Sequence, residues 1–365
     1  MSDNTFMQKA LDLAAKGKGR TSPNPMVGAV VVKSGKIISG GYHRKAGTSH
    51  AEVIALKKAG AAARGATLYV NLEPCCHTEK RTPPCTKAII KSGIKKVVVA
   101  MIDPNPEVSG MGLKELQGAG IRTETVIMKD EAQRLNEAFI KYITEKEPFV
   151  ILKLAQSLDG KIATARGESK WITGAKAREY VHKLRNEVDA LLVGIGTVKK
   201  DNPSLDCRIR GGKNPYRIIV DTSLQISPNA KVLKYNDNRT IIAVTKKAKT
   251  RKIDSLTRLG NKVLVVKDKA GKVDLKSLMK ELGKLEITSV MIEGGSSISA
   301  SALSAGIVDK VMFFIAPKII GGVDAIPSVG EKSPALLKNA LKLKDIQTTF
   351  VGEDILIEGL KPSEE

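Results

Sequence analysis

The sequence predicts an α/β protein built as two units. Three observations carry this. Strand-like and helix-like hydrophobic patterns alternate through both halves of the chain, which implies mainly parallel sheets covered on both faces. The stretch Glu145-Lys146-Glu147-Pro148 is charged and ends in proline, so it reads as a boundary between residues 1–146 and 147–365. The chain has 365 residues, 42% of them hydrophobic, enough for two ordinary cores.

In the first unit, Phe6, Met7, Ala10, Leu11 and Ala14 recur at helical spacing and make one apolar face. Val27–Val32 and Lys36–Gly40 read as strands joined by the turn Ser34-Gly35. A helix should open near His50 and carry Val53, Leu56 and Lys57. Thr67–Val70 is a strand that leads into a loop holding Cys75, and Cys85 starts a helix through Ile89 and Ile90. Lys96–Ala100 and Ile121–Val126 are expected as strands, and Asp130–Thr144 as one helix.

In the second unit the strand candidates are Phe149–Ala155, Ala190–Val193, Arg217–Val220, Thr240–Val244, Val263–Val266, Ser289–Glu293 and Lys310–Ile315. Two helices are expected, Ala175–Val188 capped by Thr173 and Leu275–Leu282 capped by Asp274.

Composition narrows the function classes. No run of about 18 apolar residues is present, so no membrane span is expected. The segment Met1–Lys16 is too polar for the apolar core of a signal peptide. Four cysteines in a chain of this length do not make a disulfide framework, and a cytoplasmic location suits free thiols.

The net charge of +22 raises a nucleic-acid reading. The charge is spread, however: residues 1–146 hold 23 Lys/Arg against 13 Asp/Glu, and residues 147–365 hold 37 against 25. Aromatic residues make up only 4%, a poor supply of stacking platforms for single strands. A basic surface serving solubility, or attracting a small anionic ligand, explains the charge as well.

The most specific pattern is His50-Ala51-Glu52, followed by Pro74-Cys75 and, ten residues on, Cys85. One imidazole and two thiolates are a ligand set for zinc that leaves a position open for water. Glu52 stands two residues past the histidine, close enough to move protons without ligating the metal. This is the H-x-E…P-C-x-x-C signature of nucleobase deaminases with the second cysteine displaced. Cys76 and His77 offer competing ligands. Cys75 is taken first because it follows Pro74, and Cys85 second because it follows Pro83-Pro84. A structural zinc would need no Glu52.

Two further turns point to phosphate. The strand Val290–Glu293 runs into Gly294-Gly295-Ser296-Ser297, and Gly194-Ile195-Gly196-Thr197 follows another strand. Glycines ahead of a helix let backbone N–H groups approach a phosphate. Neither is a full dinucleotide fingerprint, and each can also be a plain tight turn.

The ordered motifs name a family. They include Pro23-Asn24-Pro25, Gly41-Tyr42-His43, Glu73-Pro74-Cys75-Cys76-His77 and Asp103-Pro104-Asn105-Pro106. In the second half stand Ser157-Leu158-Asp159-Gly160-Lys161, Trp171-Ile172-Thr173-Gly174, Asp201-Asn202-Pro203 and Glu293-Gly294-Gly295. Almost the whole chain resembles the bifunctional riboflavin-biosynthesis deaminase–reductases. The resemblance implies a cytidine-deaminase-like domain followed by a dihydrofolate-reductase-like domain. It implies one Zn²⁺ per chain, NADPH as second cofactor, and assembly into a homo-oligomer through the reductase domain.

The implied substrate is a small phosphorylated pyrimidine, 2,5-diamino-6-(5-phosphoribosylamino)pyrimidin-4(3H)-one. It is deaminated first, and its ribosyl group is then reduced to ribityl. By resemblance His50, Cys75 and Cys85 hold zinc, Glu52 is catalytic, and Asn24, His43, His77, Lys80 and Asp103 line the deaminase substrate pocket. Ala155, Trp171, Thr197, Asp201, Gly295, Ser296 and Ser297 match cofactor contacts. Ser169, Arg185, Leu205, Arg208 and Glu293 match contacts to the reductase substrate.

Physically, Arg185 and Arg208 suit a 5′-phosphate, and Trp171 offers a wall to a flat ring or packs in a core. Lys153 and Asp159 are candidates for placing the opened sugar. Lys246 and Lys247 are candidates for a cation beside an NADPH 2′-phosphate. The inter-cysteine loop, Cys75 to Cys85, is commonly one residue shorter in the family, which leaves the roles of Thr78 to Arg81 open. The rival reading is an RNA nucleobase deaminase whose second half is a binding domain; no nucleic-acid or membrane partner is expected on the main one.

Overall fold

The computed structural model describes residues 2–77, 83–106, 108–125, 127–235 and 237–362. The chain falls into two compact units, Met1–Lys146 and Glu147–Glu365.

The first unit contains helix α1 (Asp3–Ala15), the hairpin β1 (Gly28–Lys33) and β2 (Lys36–Tyr42), α2 (Ala51–Ala59), β3 (Thr67–Leu72), α3 (Cys85–Ser92), β4 (Lys96–Met101), α4 (Met111–Gly118), β5 (Arg122–Thr125), α5 (Lys129–Leu135) and α6 (Glu137–Glu145). Its sheet has the order β2-β1-β3-β4-β5. β3, β4 and β5 run parallel, whereas β1 is antiparallel to both neighbours, so this sheet is mixed rather than mainly parallel. Successive side chains point to opposite faces. Val31, Leu68, Val70, Val97 and Val99 pack under α2, α3 and α4, while Val30, Val32, Tyr69 and Val98 pack under α1.

The five apolar residues expected on α1 are its buried face. α2 buries Ala51, Glu52, Ala55 and Leu56 rather than Val53, because it lies close on β2. A Cβ at Gly41 would sit 2.6 Å from the Ala51 carbonyl oxygen, so glycine is what allows that approach.

The single helix expected over Asp130–Thr144 is two, broken at Asn136. That side chain is buried and pairs with an extended backbone: Met26 N–H donates to Asn136 Oδ1 (2.8 Å), and Asn136 Nδ2 donates to the Met26 carbonyl (3.0 Å). The expected strand end Val126 lies outside the described residues.

The second unit contains β6 (Phe149–Ser157), β7 (Lys161–Ala163), α7 (Ala175–Glu187), β8 (Ala190–Gly194), α8 (Ile195–Asp201), β9 (Tyr216–Val220), β10 (Thr240–Val244), α9 (Thr250–Arg258), β11 (Lys262–Val265), β12 (Asp268–Lys269), β13 (Lys272–Val273), α10 (Leu275–Lys284), β14 (Ser289–Glu293), α11 (Ser296–Ser304), β15 (Lys310–Ala316), β16 (Ile326–Pro327), β17 (Lys344–Val351) and β18 (Asp354–Leu360). The main sheet has the order β11-β10-β9-β8-β14-β6-β15-β18-β17. It is parallel from β11 to β15 and closes with two antiparallel strands.

α10 and α11 cover one face over Leu152, Leu192, Ile218 and Val290, and α8 and α9 cover the other over Leu191, Ile219, Ile242 and Met291. Asp274 caps α10 as expected, accepting from Ser277 N–H at 3.2 Å. Thr173 does not cap α7. The cap position is Gly174, whose N–H donates to Asp354 Oδ2 at 2.8 Å. In parallel α/β sheets ligands sit at the carboxyl ends of strands, and the glycine turns after β8 and β14 lie there.

Candidate active sites

In the first unit three elements deliver three ligands. His50 is the N-cap of α2 and makes no side-chain cap bond, so its ring is turned to other partners. Cys85 is the first residue of α3, and Cys75 follows the end of β3. His50 Nδ1 lies 3.1 Å from Cys85 Sγ and 3.6 Å from Cys75 Sγ, and all three donor atoms fall within 4.8 Å of one another. Cys76 and His77, the competing ligands, are not in this group.

The donor set fits zinc. A hydrogen bond that the Cys85 thiol donates to Cys75, together with burial, pushes the Cys85 thiol well above its usual range, so a thiolate there calls for a cation, while the positive ends of two helices already favour negative charge. Glu52 is 3% exposed, and its Oε2 is buried with no hydrogen-bond partner among the described residues. Burial, then the charge of Cys75, raises its carboxyl. A carboxyl in that state can hold a proton and give it up.

Around this centre, His43 Nε2 lies 3.1 Å from Asn24 Nδ2, and His43 Nδ1 lies 3.3 Å from the Ser49 carbonyl. The His43 ring stands edge-on to His50 at 5.4 Å between centroids, and burial lowers its pKa. Asp103 follows β4, the parallel neighbour of β3, so its loop leaves the same sheet edge as Cys75. Asp103 Oδ1 accepts Asn105 N–H at 2.9 Å. His77 is half-buried beside the ligand loop. Lys80 and Thr78 to Arg81 lie outside the described residues. Sequence reasoning did not single out Glu73, a buried carboxylate next to the ligand loop. Its visible signals were a charged residue ending an apolar strand and its place in the motif Glu73-Pro74-Cys75-Cys76-His77, to which no role was given.

In the second unit the two glycine turns meet. β8 and β14 are parallel neighbours, and Thr197 Oγ1 donates to the Gly294 carbonyl at 3.4 Å. A Cβ on Gly295 would stand 3.0 Å from Thr197 Oγ1, and Gly294 and Gly295 take φ of +69° and +82°, which favour glycine. Ser296 Oγ is buried and has no partner among the described residues, and Ser297 beside it is exposed. Asp201 ends α8, and Ala155 lies on β6 opposite Phe314.

Trp171 is 62% exposed, so it is no core residue. Arg178 lies 4.5 Å over its ring. Ser169, half-buried, precedes it by two residues.

The arginines divide. Arg185 does not offer its fork to a phosphate. Its Nε and Nη2 donate to the two oxygens of Glu293 at 2.7 and 2.6 Å, and Nη1 donates to the Asp206 carbonyl at 3.0 Å. Although burial alone would raise it, Arg185 holds Glu293 down to about 2. Lys153 is half-buried beside this pair, and desolvation lowers its pKa. Arg208 is 63% exposed and its Nε donates to Asp206 Oδ1 at 3.2 Å, which among the described residues leaves the rest of its guanidinium open to an anion.

Leu205 is buried in the core with φ of +53°, which leaves its backbone rather than its side chain for a ligand. Asp159 is also engaged: Ser157 Oγ bonds its Oδ1 at 2.6 Å, and Ile320 and Gly321 N–H donate at 3.0 and 2.8 Å, holding the carboxyl down to about 2. It therefore ties a loop and does not reach for a sugar. Lys246, Lys247 and Lys267 line a cleft at the carboxyl ends of β10 and β11, where Lys247 pairs with Asp268 at 3.4 Å.

A His/Cys/Cys cluster that fits zinc beside a buried glutamate on one α/β unit, and two glycine turns meeting at strand ends on the other, are the features of a metal-dependent deaminase joined to a nucleotide-dependent reductase. Comparison with known proteins agrees. Residues 1–101 match the cytidine and deoxycytidylate deaminase zinc-binding region, and residues 148–357 match the RibD C-terminal domain. The chain is 48% identical to the riboflavin biosynthesis protein RibD of Aquifex aeolicus over 356 residues, 97% of each chain. It is 38% identical to that of Escherichia coli, over 98% of this chain and 99% of the other. The solved RibD of Acinetobacter baumannii superposes with a TM-score of 0.89 at 38% identity, covering 99% of both chains. A deaminase/reductase from Thermotoga maritima superposes at 0.86 with 40% identity, covering 98% of both. The chain belongs to the RibD family, and it is a bifunctional deaminase–reductase of riboflavin biosynthesis with zinc and NADPH as cofactors.

Proposed function

We propose that residues 1–146 deaminate 2,5-diamino-6-(5-phosphoribosylamino)pyrimidin-4(3H)-one, and that residues 147–365 then reduce the ribosyl group of 5-amino-6-(5-phosphoribosylamino)uracil to ribityl. The observation that carries this is the cluster of His50, Cys75 and Cys85 donor atoms within 4.8 Å, beside the buried, unpartnered Oε2 of Glu52.

His50, Cys75 and Cys85 would hold zinc, which when bound would acidify a water towards neutral pH. Glu52 takes up a proton at Oε2 and returns it to the departing amine, a role its raised carboxyl suits. Asn24, His43, His77, Lys80 and Asp103 orient the pyrimidine.

In the reductase, NADPH supplies the hydride. The N–H groups at Gly295, Ser296 and Ser297 receive its phosphates, Thr197 braces that turn through the Gly294 carbonyl, and Ala155, Trp171 and Asp201 complete the site. Arg208 meets the substrate 5′-phosphate. Arg185 fixes Glu293 towards the ribityl chain, Lys153 lies next to both, and Ser169 and the backbone of Leu205 complete the pocket.

Among the described residues no helix is long and apolar enough to cross a membrane. We read the protein as a cytoplasmic enzyme of small molecules, with no nucleic-acid partner, that assembles as a homo-oligomer through its reductase unit. The purified chain is incubated with the diaminopyrimidine substrate, and ammonia and NADPH are followed. Ammonia released without NADPH, followed by oxidation of NADPH once it is added, is the expected result. No ammonia from a zinc-loaded chain, together with a salt-sensitive gel shift of transfer RNA, would instead favour an RNA deaminase.

A further inference from the structure

We infer that Glu73 is a positioning residue of the deaminase, setting the distance between the zinc ligand Cys75 and the substrate-reading loop that carries Asp103. The inference deepens the reading of Asp103 as a substrate contact and rests on it.

Glu73 follows β3 and is buried, two residues before Cys75. Its own N–H donates to the Met101 carbonyl at 3.0 Å, which continues the β3–β4 pairing to the point where both strands end. Its carboxylate accepts three backbone N–H groups from the segment between β4 and the body of α4. Asp103 N–H reaches Oε2 at 3.1 Å, Gly110 N–H reaches the same oxygen at 2.9 Å, and Leu113 N–H reaches Oε1 at 3.2 Å. These donors stand at the start of the loop, at its end, and in the first turn of α4. One side chain therefore closes the loop at both ends.

The loop and helix are also pressed onto the ligand segment. A Cβ on Gly112 would lie 2.1 Å from the Pro74 carbonyl oxygen and 3.2 Å from Glu73 Oε1. Nothing larger than glycine fits there, so α4 rests directly on the peptide that leads into Cys75. A carboxylate at a helix N-terminus, accepting three buried N–H groups, makes strong charge-assisted bonds. With both sides of the pocket held by the same group, the spacing between metal and Asp103 is fixed before substrate arrives, and the pocket's reading of its ligand depends on it.

Glu73→Gln keeps the size but turns one acceptor oxygen into a donor facing N–H groups. Deamination kinetics and zinc content are measured for the wild type, Glu73→Gln, Asp103→Ala and the double variant. The expected result is KM up about tenfold for Glu73→Gln, the loss of one to two charge-assisted bonds, with kcat within about twofold and zinc unchanged. In the double variant KM rises no further than in Asp103→Ala alone, because the first residue acts through the second. An unchanged KM in Glu73→Gln beside a raised KM in Asp103→Ala overturns the inference, as do additive effects or a loss confined to zinc content. An unchanged KM in Asp103→Ala removes the reading of Asp103 itself, and the inference with it. If Glu73→Gln does not fold, Glu73→Asp, which keeps the charge but falls short of the three donors, carries the same comparison.

Discussion

At the scale of single residues, two carboxylates show how burial is put to opposite uses. Glu52 has a buried oxygen without a partner among the described residues, and burial raises its carboxyl. Replacing it with glutamine keeps the shape and removes the proton carrier. Glu52→Gln should retain one zinc per chain by metal analysis, while ammonia release falls at least about 100-fold; turnover at the wild-type rate would remove Glu52 from the chemistry. Glu293 is buried too, yet Arg185 answers both of its oxygens. Taking away one partner leaves an uncompensated buried charge, so Glu293→Gln should cost about 3–5 kcal/mol in urea unfolding at neutral pH. The sign with pH follows from the depressed carboxyl. The pair's contribution is complete above the unfolded carboxyl range, about 4.3, and is lost as pH falls from there through about 2. The acid limb of wild-type stability should therefore be steeper than that of Glu293→Gln. Equal limbs would mean that the pair does not titrate with folding.

At the scale of elements, an exposed edge strand is among those the sequence hides. β17 forms an edge of the nine-stranded sheet, is exposed along nearly its whole length, and carries Phe350 at 74% exposure. An edge strand with exposed apolar side chains is a surface for pairing. If the proposed homo-oligomer pairs through this edge, Phe350→Lys should lower the mass seen in light scattering while leaving ammonia release unchanged; an unchanged mass would mean that this edge is not a pairing surface. The same exposure explains why Lys344–Val351 escaped the sequence reading: a strand without a buried face has no apolar alternation to detect. Strands with buried faces such as Thr240–Val244 and Ser289–Glu293 were legible to the residue, although Asp354–Leu360, which also buries a face, was not expected. Helix α1 was legible for the same reason, through five apolar residues at helical spacing. The break at Asn136 was not, because it depends on a bond to Met26, 110 positions away. The zinc ligands could be read because proline and helix starts flank them, whereas Glu73 could not, since its partners are backbone N–H groups 30 to 40 residues further on. The Arg185–Glu293 pairing, 108 positions apart, was likewise invisible, and the sequence alone assigned that arginine to a phosphate.

At the scale of the whole molecule, the chemistry is divided between units that each own a complete set of groups. His50, Glu52, Cys75 and Cys85 belong to Met1–Lys146, and the glycine turns, Arg185, Arg208 and Glu293 belong to Glu147–Glu365. Each unit has its own sheet and its own cores on both faces of it. Zinc binding should therefore be coupled to the stability of the first unit, which holds all three ligands. A chelator strong enough to strip the metal should abolish ammonia release and lower the melting temperature of one transition. NADPH oxidation with 5-amino-6-(5-phosphoribosylamino)uracil supplied directly should continue at the rate of the untreated protein. Trp171 is the chain's single tryptophan, exposed and under Arg178, so its emission reports the second unit alone. Quenching of that emission by NADPH should survive chelation with the same midpoint. Loss of reduction or of quenching on zinc removal would mean that the first unit's metal also governs the second unit's site, which the separate cores and separate ligand sets give no reason to expect.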